Sequence, residues 1–133
     1  MMKTKAQDLL HSYATQLDQF FAVHQDANTA LSDWLASHFS NTQMIELLEA
    51  ILKDTSSLKQ ICQRSYQHGN GFLKVVLLDR GYKLRLHIWF AGQSCEENIH
   101  DHRWSFSSLI LAGSLKSEIW KDIPYCVICH NIR

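Results

Sequence analysis

Residues 68–90 read HGNGFLKVVLLDRGYKLRLHIWF, and they separate two kinds of pattern along the chain. The glycines and the asparagine of residues 68–71 favour a turn and end a helical pattern. Residues 72–78 form a short apolar run, and residues 79–81 have the composition of a hairpin connection. Apolar and polar side chains alternate over residues 82–90, and this period of two predicts a half-buried β-strand.

The sequence before residue 68 contains four segments whose apolar residues recur at helical spacing, which predicts four helices. We expect Asp26 or Asn28 to cap the start of the second helix, because short polar side chains satisfy the first free backbone N–H groups. Asn41 or Thr42 is expected to cap the third helix. The fourth helix is expected to begin near Asp54.

The sequence after residue 90 predicts further strands, over residues 99–102, 106–111 and 115–120. Helices followed by strands, without alternation of the two, indicate the α+β class with an antiparallel sheet. We predict a single domain over residues 1–133. Its helical part is residues 1–68 and its β part is residues 69–133, and neither part is large enough to fold alone.

Composition excludes several classes of protein. The chain has 133 residues, 46% hydrophobic and 20% charged, so it can bury a core and differs from a disordered sequence. Thirteen basic and thirteen acidic residues cancel, which argues against a nucleic-acid or membrane-surface protein. No apolar run approaches the roughly 20 residues that span a bilayer, and no apolar stretch follows the basic N-terminus. With four cysteines, we expect a cytoplasmic protein in a reducing compartment.

The stretch IHDHRW, residues 99–104, places two histidines two positions apart. In a strand, His100 and His102 point to the same face and lie about 6.6 Å apart along the chain. Two imidazoles so arranged can bind one metal ion at about 2.0–2.1 Å per nitrogen, and neutral imidazole suits Fe, Zn, Cu and Ni. The spacing therefore indicates a metal site, although two exposed polar positions on a sheet face would show the same pattern.

The surroundings of this histidine pair resemble the first motif of the cupin superfamily. Gly92 precedes the pair, and Gly113 closes the apolar segment that follows it. The sequence IHDH is also similar to the metal-binding strand of cysteine dioxygenases and related thiol dioxygenases, a branch of the cupins in which three histidines hold iron without a glutamate. The resemblance covers about residues 72–120. It implies a cupin-like, partial jelly-roll sheet after the helices.

The sequence departs from the cupin pattern in both motifs. The spacer after Gly92 has seven residues, which is longer than usual, and Phe106 or Ser107 takes the glutamate position. The second motif, a Pro-x-Gly turn followed by the last histidine ligand, is missing from the 20 residues after Gly113, where His130 lies in a different context. The chain therefore resembles the first half of a cupin. Half a barrel has unpaired strand edges, so the chain must pair them with a second copy, cover them with the helices, or stay marginally stable.

The resemblance implies two alternative functions. In the first, the chain is a metal-binding protein, a non-haem iron dioxygenase that acts on a small thiol or carboxylate substrate. His100 and His102 are then the metal ligands, with Fe(II) expected and Zn, Ni or Mn as alternatives. Arg103 would bind a substrate carboxylate through its guanidinium, or else it is a surface residue at a strand end. In the second function, a truncated or degenerate cupin without catalytic activity acts as a binding or interaction module and forms a homodimer through the sheet edge.

Other residues are candidates for the missing third ligand. Cys95, Glu96 and Glu97 lie in the loop before the pair, and His87 lies on the polar face of the neighbouring strand. Each is also compatible with an ordinary loop or surface position. The sequence CVICH, residues 126–130, has the spacing of haem attachment, of a redox cysteine pair and of a zinc half-site, and it also fits an apolar segment with incidental cysteines.

One strand face carries a small basic stripe made of Lys83, Arg85 and His87. Because the net charge is zero, we interpret this stripe as a solvated face and expect no nucleic-acid partner. The tryptophans are expected to pack in the core, as aromatic residues of small cupins usually do: Trp34, Trp89, Trp104 and Trp120.

Overall fold

The computed structural model describes residues 1–24, 28–93 and 99–121. Four helices precede a three-stranded sheet, which confirms the predicted α+β class. The elements in chain order are α1 (Lys5–Val23), α2 (Asn28–His38), α3 (Asn41–Lys53), α4 (Thr55–Arg64), β1 (Tyr66–Gln67), β2 (Phe72–Asp79) and β3 (Lys83–Trp89). None of the helices in the described ranges is both long and apolar enough to cross a membrane.

The helix starts are defined by side-chain caps. Thr4 caps α1 in a capping box with Gln7. Ser40 caps α3, so the prediction of Asn41 or Thr42 as the cap is wrong. The Ser40 Oγ accepts from the Gln43 backbone N–H at 3.2 Å, and the Gln43 Oε1 accepts from the Ser40 N–H at 2.7 Å. A reciprocal pair satisfies two backbone donors, which a single asparagine or threonine cannot do. Asn28 lies within α2 as its first residue, and Asp26, the other predicted cap of this helix, lies outside the described residues.

Asp54 connects three helices. It ends α3 and caps α4, where its Oδ1 accepts from the Ser56 N–H at 3.2 Å, as the sequence predicts for a helix that begins near this residue. Its Oδ2 also accepts from the hydroxyls of Thr4, at 2.7 Å, and Ser57, at 2.6 Å. The bonds from Ser57 and Thr4 lower the pKa of the Asp54 carboxyl, because they stabilise its charged form.

The sheet is antiparallel in the order β1-β2-β3. The predicted hairpin between β2 and β3 is confirmed, and the Arg80 N–H donates to the Tyr82 carbonyl at 2.8 Å to close it. Before β2, Gly71 adopts a φ of 78°, which only glycine adopts readily, so the predicted turn at residues 68–71 is also confirmed. An irregularity between Val76 and Leu78 interrupts the β2–β3 register.

One hydrophobic core joins the helices to the inner face of the sheet. Leu47 of α3 and Leu77 of β2 are its largest fully buried members. Leu84 and Leu86 of β3 pack against it, while Lys83, Arg85, His87 and Trp89 face outward, so the predicted alternation of β3 is confirmed. The other buried core residues are Ala6, Tyr13, Ala14, Leu17, Phe39, Met44, Ala50, Ile51, Ile61 and Leu78.

Residues 99–121 form no strand, so the strands predicted at 99–102, 106–111 and 115–120 are wrong. Leu111 packs against the core, but most large apolar side chains of this segment are exposed. A β-prone sequence becomes a strand only when a neighbouring strand pairs with it and one face is buried. The expected burial of the tryptophans is also wrong for Trp89, Trp104 and Trp120, whereas Trp34 packs partly buried against the core.

Candidate functional site

The two histidines of the predicted metal site lie side by side. The ring centres of His100 and His102 are 4.9 Å apart and their planes are inclined by 76°. Two imidazoles that bind one ion at about 2.0–2.1 Å per nitrogen have ring centres about 5 Å apart when the ligand angle is near tetrahedral. The ring separation of this pair is compatible with a shared ion, and it is also the ordinary separation of two rings in edge contact.

The segment around the pair has no regular secondary structure, and residues 99–106 are exposed. His102 also contacts Phe106 edge-on, with 4.7 Å between ring centres, and this contact restricts the orientation of the imidazole. Arg103 follows directly and is exposed, at the start of a bend over residues 103 and 104. An anionic group beside the histidine pair would have access to this guanidinium.

The third ligand is not found among the described residues. Within residues 1–24, 28–93 and 99–121, no three His, Cys, Asp or Glu side chains cluster closely enough to hold a metal ion. His87 therefore does not complete the site in this arrangement. The predicted candidates Cys95, Glu96 and Glu97 lie outside the described residues, as do Cys126, Cys129 and His130.

A second cluster, which the sequence analysis did not predict, covers the outer face of the sheet. We call it the aromatic face. Its six side chains form two rows across the three strands and the turn after β1, because directly opposed residues of antiparallel strands share one face. The rows follow from the register and are Tyr66, Lys74 and His87, then His68, Phe72 and Trp89.

The rings of the aromatic face contact one another. Phe72 is at its centre, with ring centres 4.5 Å from His68, 4.5 Å from His87 and 4.8 Å from Trp89. Phe72 is buried by these neighbours, whereas Tyr66 is 51% exposed and Trp89 is 47% exposed. The face therefore offers two accessible rings at opposite corners of a packed aromatic surface.

Lys74 is the one cation within the two rows. Its Nζ donates to the Tyr66 hydroxyl at 3.0 Å and lies 5.1 Å from the centre of the Tyr66 ring and 6.0 Å from that of Phe72. The negative faces of the rings attract the ammonium group. The contacts hold its charge over the middle of the aromatic face.

Burial and the charge of Lys74 shift the pKa values of His87, His68 and Tyr66 on the aromatic face. Burial lowers the pKa of His87 to about 4, assisted by Lys74, Arg85 and His68. Burial also lowers the pKa of His68, with contributions from Lys74 and His100. The Tyr66 pKa is lowered chiefly by the hydrogen bond from Lys74, and burial opposes this shift. At neutral pH both histidines of the face are therefore uncharged rings in a positive potential.

His100 influences His68 electrostatically, so the histidine pair lies near the His68 end of the aromatic face. His68 itself is occupied by a local bond, because its Nδ1 accepts from the Asn70 N–H at 3.1 Å. That bond leaves the proton of the neutral ring on Nε2, and a metal ligand needs a nitrogen without a proton. His68 is therefore not prepared to bind the ion of the histidine pair.

A surface depression of about 710 Å³ lies between α1 and the β2–β3 turn, lined by Asp18, Phe21, Arg80, Gly81 and Tyr82. Asp18 accepts from Arg80 Nη2 at 2.8 Å and from the Tyr82 hydroxyl at 3.0 Å. Burial and the hydrogen bond from the Tyr82 hydroxyl to Asp18 raise the pKa of Tyr82 to about 12. Because these polar groups bond to one another, they anchor the hairpin to α1.

Comparisons of the chain with protein-family models, with curated protein sequences and with solved structures give no match. The resemblance to the cupins therefore stays a prediction from the residues around His100 and His102.

Proposed function

We propose that the chain is a cupin-like metal-binding protein in which His100 and His102 bind a divalent transition metal, with Fe(II) the first candidate and Zn, Ni or Mn the others. The observation that supports this proposal is the 4.9 Å separation of the two ring centres. The neutral imidazoles provide a donor set that suits these metals. Two histidines leave several coordination positions for water, for a further ligand and for a substrate.

The substrate proposed for this site is a small thiol or carboxylate. A bound metal would supply open coordination positions and, if it is iron, the capacity for oxidation chemistry. Arg103 would orient a carboxylate, because guanidinium binds carboxylate through two parallel hydrogen bonds. The described residues supply two of the three histidines of a thiol dioxygenase, so the proposal is metal binding first and dioxygenase activity second.

The experiment is elemental analysis of protein purified without an affinity tag, for the wild type and for His100→Ala/His102→Ala. We expect about one metal ion per chain in the wild type and a loss of at least tenfold in the affinity of the double variant, because each removed imidazole removes a ligand. The matched control is His11→Ala/His24→Ala, which removes two exposed histidines of the α1 region. The control should keep the metal.

The proposal would be contradicted if the wild type stayed free of metal after anaerobic incubation with ferrous iron. It would also be contradicted if the double variant bound as much metal as the control. Oxygen consumption with small thiols is worth measuring only if the wild type holds iron.

A second candidate function is a non-catalytic interaction module. The observation that favours it is the exposure of large apolar side chains over residues 99–121, where Trp104 is 76% exposed and Ile119 is 84% exposed. In the described part of the chain, β3 pairs with β2 alone, so its other edge is open to a further strand. An exposed apolar segment and an open strand edge on the same molecule favour binding of a second copy of the chain.

A further inference from the structure

We propose that the turn between β1 and β2 is an acid-sensitive switch, in which protonation of His68 releases β1 from β2. The turn comprises residues 68–71, between the second residue of β1 and the first residue of β2. The switch goes beyond the proposed metal site and is independent of it, because bonds within the turn carry it and no metal ion takes part.

Hydrogen bonds of His68 hold the turn together. Its backbone N–H donates to the Phe72 carbonyl at 2.8 Å, and its carbonyl accepts from the Gly71 N–H at 3.0 Å. Its side chain adds a third bond, because Nδ1 accepts from the Asn70 N–H at 3.1 Å. The imidazole thus takes the role that a side-chain oxygen has in an Asx turn, which is to accept from the backbone two residues ahead.

Protonation removes the acceptor of this third bond. A neutral imidazole has one ring nitrogen with a free lone pair, whereas an imidazolium donates from both nitrogens and accepts at neither. The Asn70 N–H would then face a second donor at hydrogen-bond distance. Rotation of the ring relieves that contact, but the Asn70 N–H still loses its partner in the turn.

The position of β1 depends on this turn because β1 is short. It has two residues, both exposed, and it pairs only with Leu73 and Lys74 of β2. So short a strand contributes little stability of its own. Just before β1, Ser65 is fixed to β2, because its Oγ accepts from the Val76 N–H at 3.0 Å. Loss of a bond in the turn therefore favours a local opening of residues 66–71.

The groups around His68 oppose its protonation in the closed turn. Burial lowers the pKa of His68, and the positive charges of Lys74 on β2 and His100 after the sheet lower it further. On β1, the Tyr66 hydroxyl accepts from Lys74, and on β3, His87 is coupled electrostatically to His68. Opening of the turn frees His68 from these surroundings, so its pKa returns toward the ordinary value of about 6.5.

The sheet carboxylate Asp79 lies too far away to stabilise a protonated His68. It ends β2 at the opposite end from the turn, roughly 20 Å along the strand. There it is bonded to Lys83 at 2.9 Å, and Arg85 of β3 also acts on it. The contribution of neutral His68 to the closed turn is therefore complete above about pH 6.5, and it is lost as the pH falls through the lowered pKa.

Opening of the turn changes what the outer face of the sheet presents. In the closed turn Phe72 is 8% exposed, and its ring is 4.5 Å from that of His68. Departure of residues 66–71 uncovers this ring and releases the edge of β2 at Leu73 and Lys74 from its pairing with β1. Acid would thus convert a packed face into one with an accessible apolar ring and an unpaired strand edge.

The test measures backbone amide exchange with water by NMR at pH 7 and about pH 4.5, with EDTA present. Each rate is divided by that of an unstructured chain at the same pH to give a protection factor. In the wild type, the protection of residues 68 and 71 should fall about fivefold or more at the lower pH, because one hydrogen bond of the turn is lost. The Leu58 N–H of α4, which donates to the Asp54 carbonyl at 2.9 Å, should keep its protection.

Two variants separate titration from hydrogen bonding. His68→Asn supplies a side-chain oxygen that accepts from the N–H two residues ahead and cannot be protonated, so protection of the turn should be equal at both pH values. His68→Phe keeps a ring against Phe72 but has no acceptor, so the protection should be low at both. His11→Asn, which changes an exposed histidine of α1, is the matched control and should behave like the wild type.

The switch is overturned if the protection of residues 68 and 71 in the wild type is the same at both pH values, or if it falls equally in His68→Asn. It is also overturned if Leu58 loses protection by the same factor as the turn, because the whole molecule would then unfold without a separate release of β1. Because EDTA is present, the outcome is independent of metal binding at His100 and His102.

Discussion

At the scale of single residues, the surroundings in the fold set the chemistry of the histidines. His87 belongs to a polar stripe in the sequence, yet its ring packs 4.5 Å from Phe72 and 5.9 Å from Trp89. Burial among these rings and the nearby cations Lys74 and Arg85 lowers its pKa to about 4. A histidine that alternation alone describes as solvated is thus a neutral member of an aromatic cluster.

This pKa makes stability depend on pH. An unfolded histidine has a pKa of about 6.5, so between pH 6.5 and pH 4 the unfolded chain binds more protons at His87 than the folded chain does. The contribution of neutral His87 to the free energy of unfolding is complete above about pH 6.5 and is lost as the pH falls to about 4. Since the ring keeps contact with solvent, we expect the loss to be about 1 kcal/mol.

The prediction is tested with His87→Phe, which keeps an aromatic ring but cannot be protonated. Between pH 7 and about pH 4.5, the free energy of unfolding measured with urea should fall about 1 kcal/mol less for the variant than for the wild type. His11→Phe on α1 is the control and should retain the dependence of the wild type. An equal loss of stability in His87→Phe and the wild type would contradict the assignment.

At the scale of elements, α4 completes the edge of β2. β1 has two residues and pairs only with Leu73 and Lys74, so the remainder of this edge of β2 has no strand beside it among the described residues. Side chains at the end of α4 take its place. Arg64 donates from Nε to the Val76 carbonyl at 2.8 Å and from Nη2 to the Leu77 carbonyl at 2.5 Å, and Ser65 Oγ accepts from the Val76 N–H at 3.0 Å.

We therefore expect Arg64→Met to destabilise the fold by about 1–3 kcal/mol, because two carbonyls next to the core lose their donors while the apolar stem is kept. Chemical denaturation followed by far-UV circular dichroism measures the loss. Lys59→Met on the same helix is the control for the removal of a positive charge, and it should change stability by less than about 0.5 kcal/mol. Equal stabilities of the two variants would show that β2 does not depend on Arg64.

At the scale of the whole molecule, the described helices and the sheet share one hydrophobic core. Leu17 of α1, Leu47 of α3, Ile61 of α4 and Leu77 of β2 belong to the same buried cluster. This common core joins the four helices to the sheet in the described part of the chain, and the single domain over residues 1–133 stays a prediction. The apolar side chains of residues 99–121 are largely left out of it, and the open edge of β3 lies on the same molecule.

This distribution predicts self-association that depends on concentration. Light scattering coupled to size exclusion should detect a dimer at high concentration, and the variant Leu115→Glu/Ile119→Glu should shift it to the monomer, because burial of the two carboxylates at an apolar contact is costly. Leu52→Glu, which replaces an exposed leucine of α3, is the control and should still dimerise. A monomer at every concentration would contradict the interaction module.

The local pattern of residues was enough to predict the helices, the turn at residues 68–71, the β2–β3 hairpin and the period-two burial of β3. Each of these depends on interactions within a few residues: backbone preferences, caps, and the alternation of side chains between two faces. The contact between His100 and His102 does not follow in the same way, because it was predicted from a strand over residues 99–102 that does not form.

The choice of which strands form and which side chains meet depends instead on how the whole chain packs. Residues 99–121 have strand-like sequence but form no strand, because pairing and burial are long-range conditions. The aromatic face depends on a register that brings Phe72 opposite Trp89 and Lys74 opposite His87. The pKa of His87 follows from that register. Contacts between distant residues depend on the packing of the whole chain, and a local pattern carries no information about them.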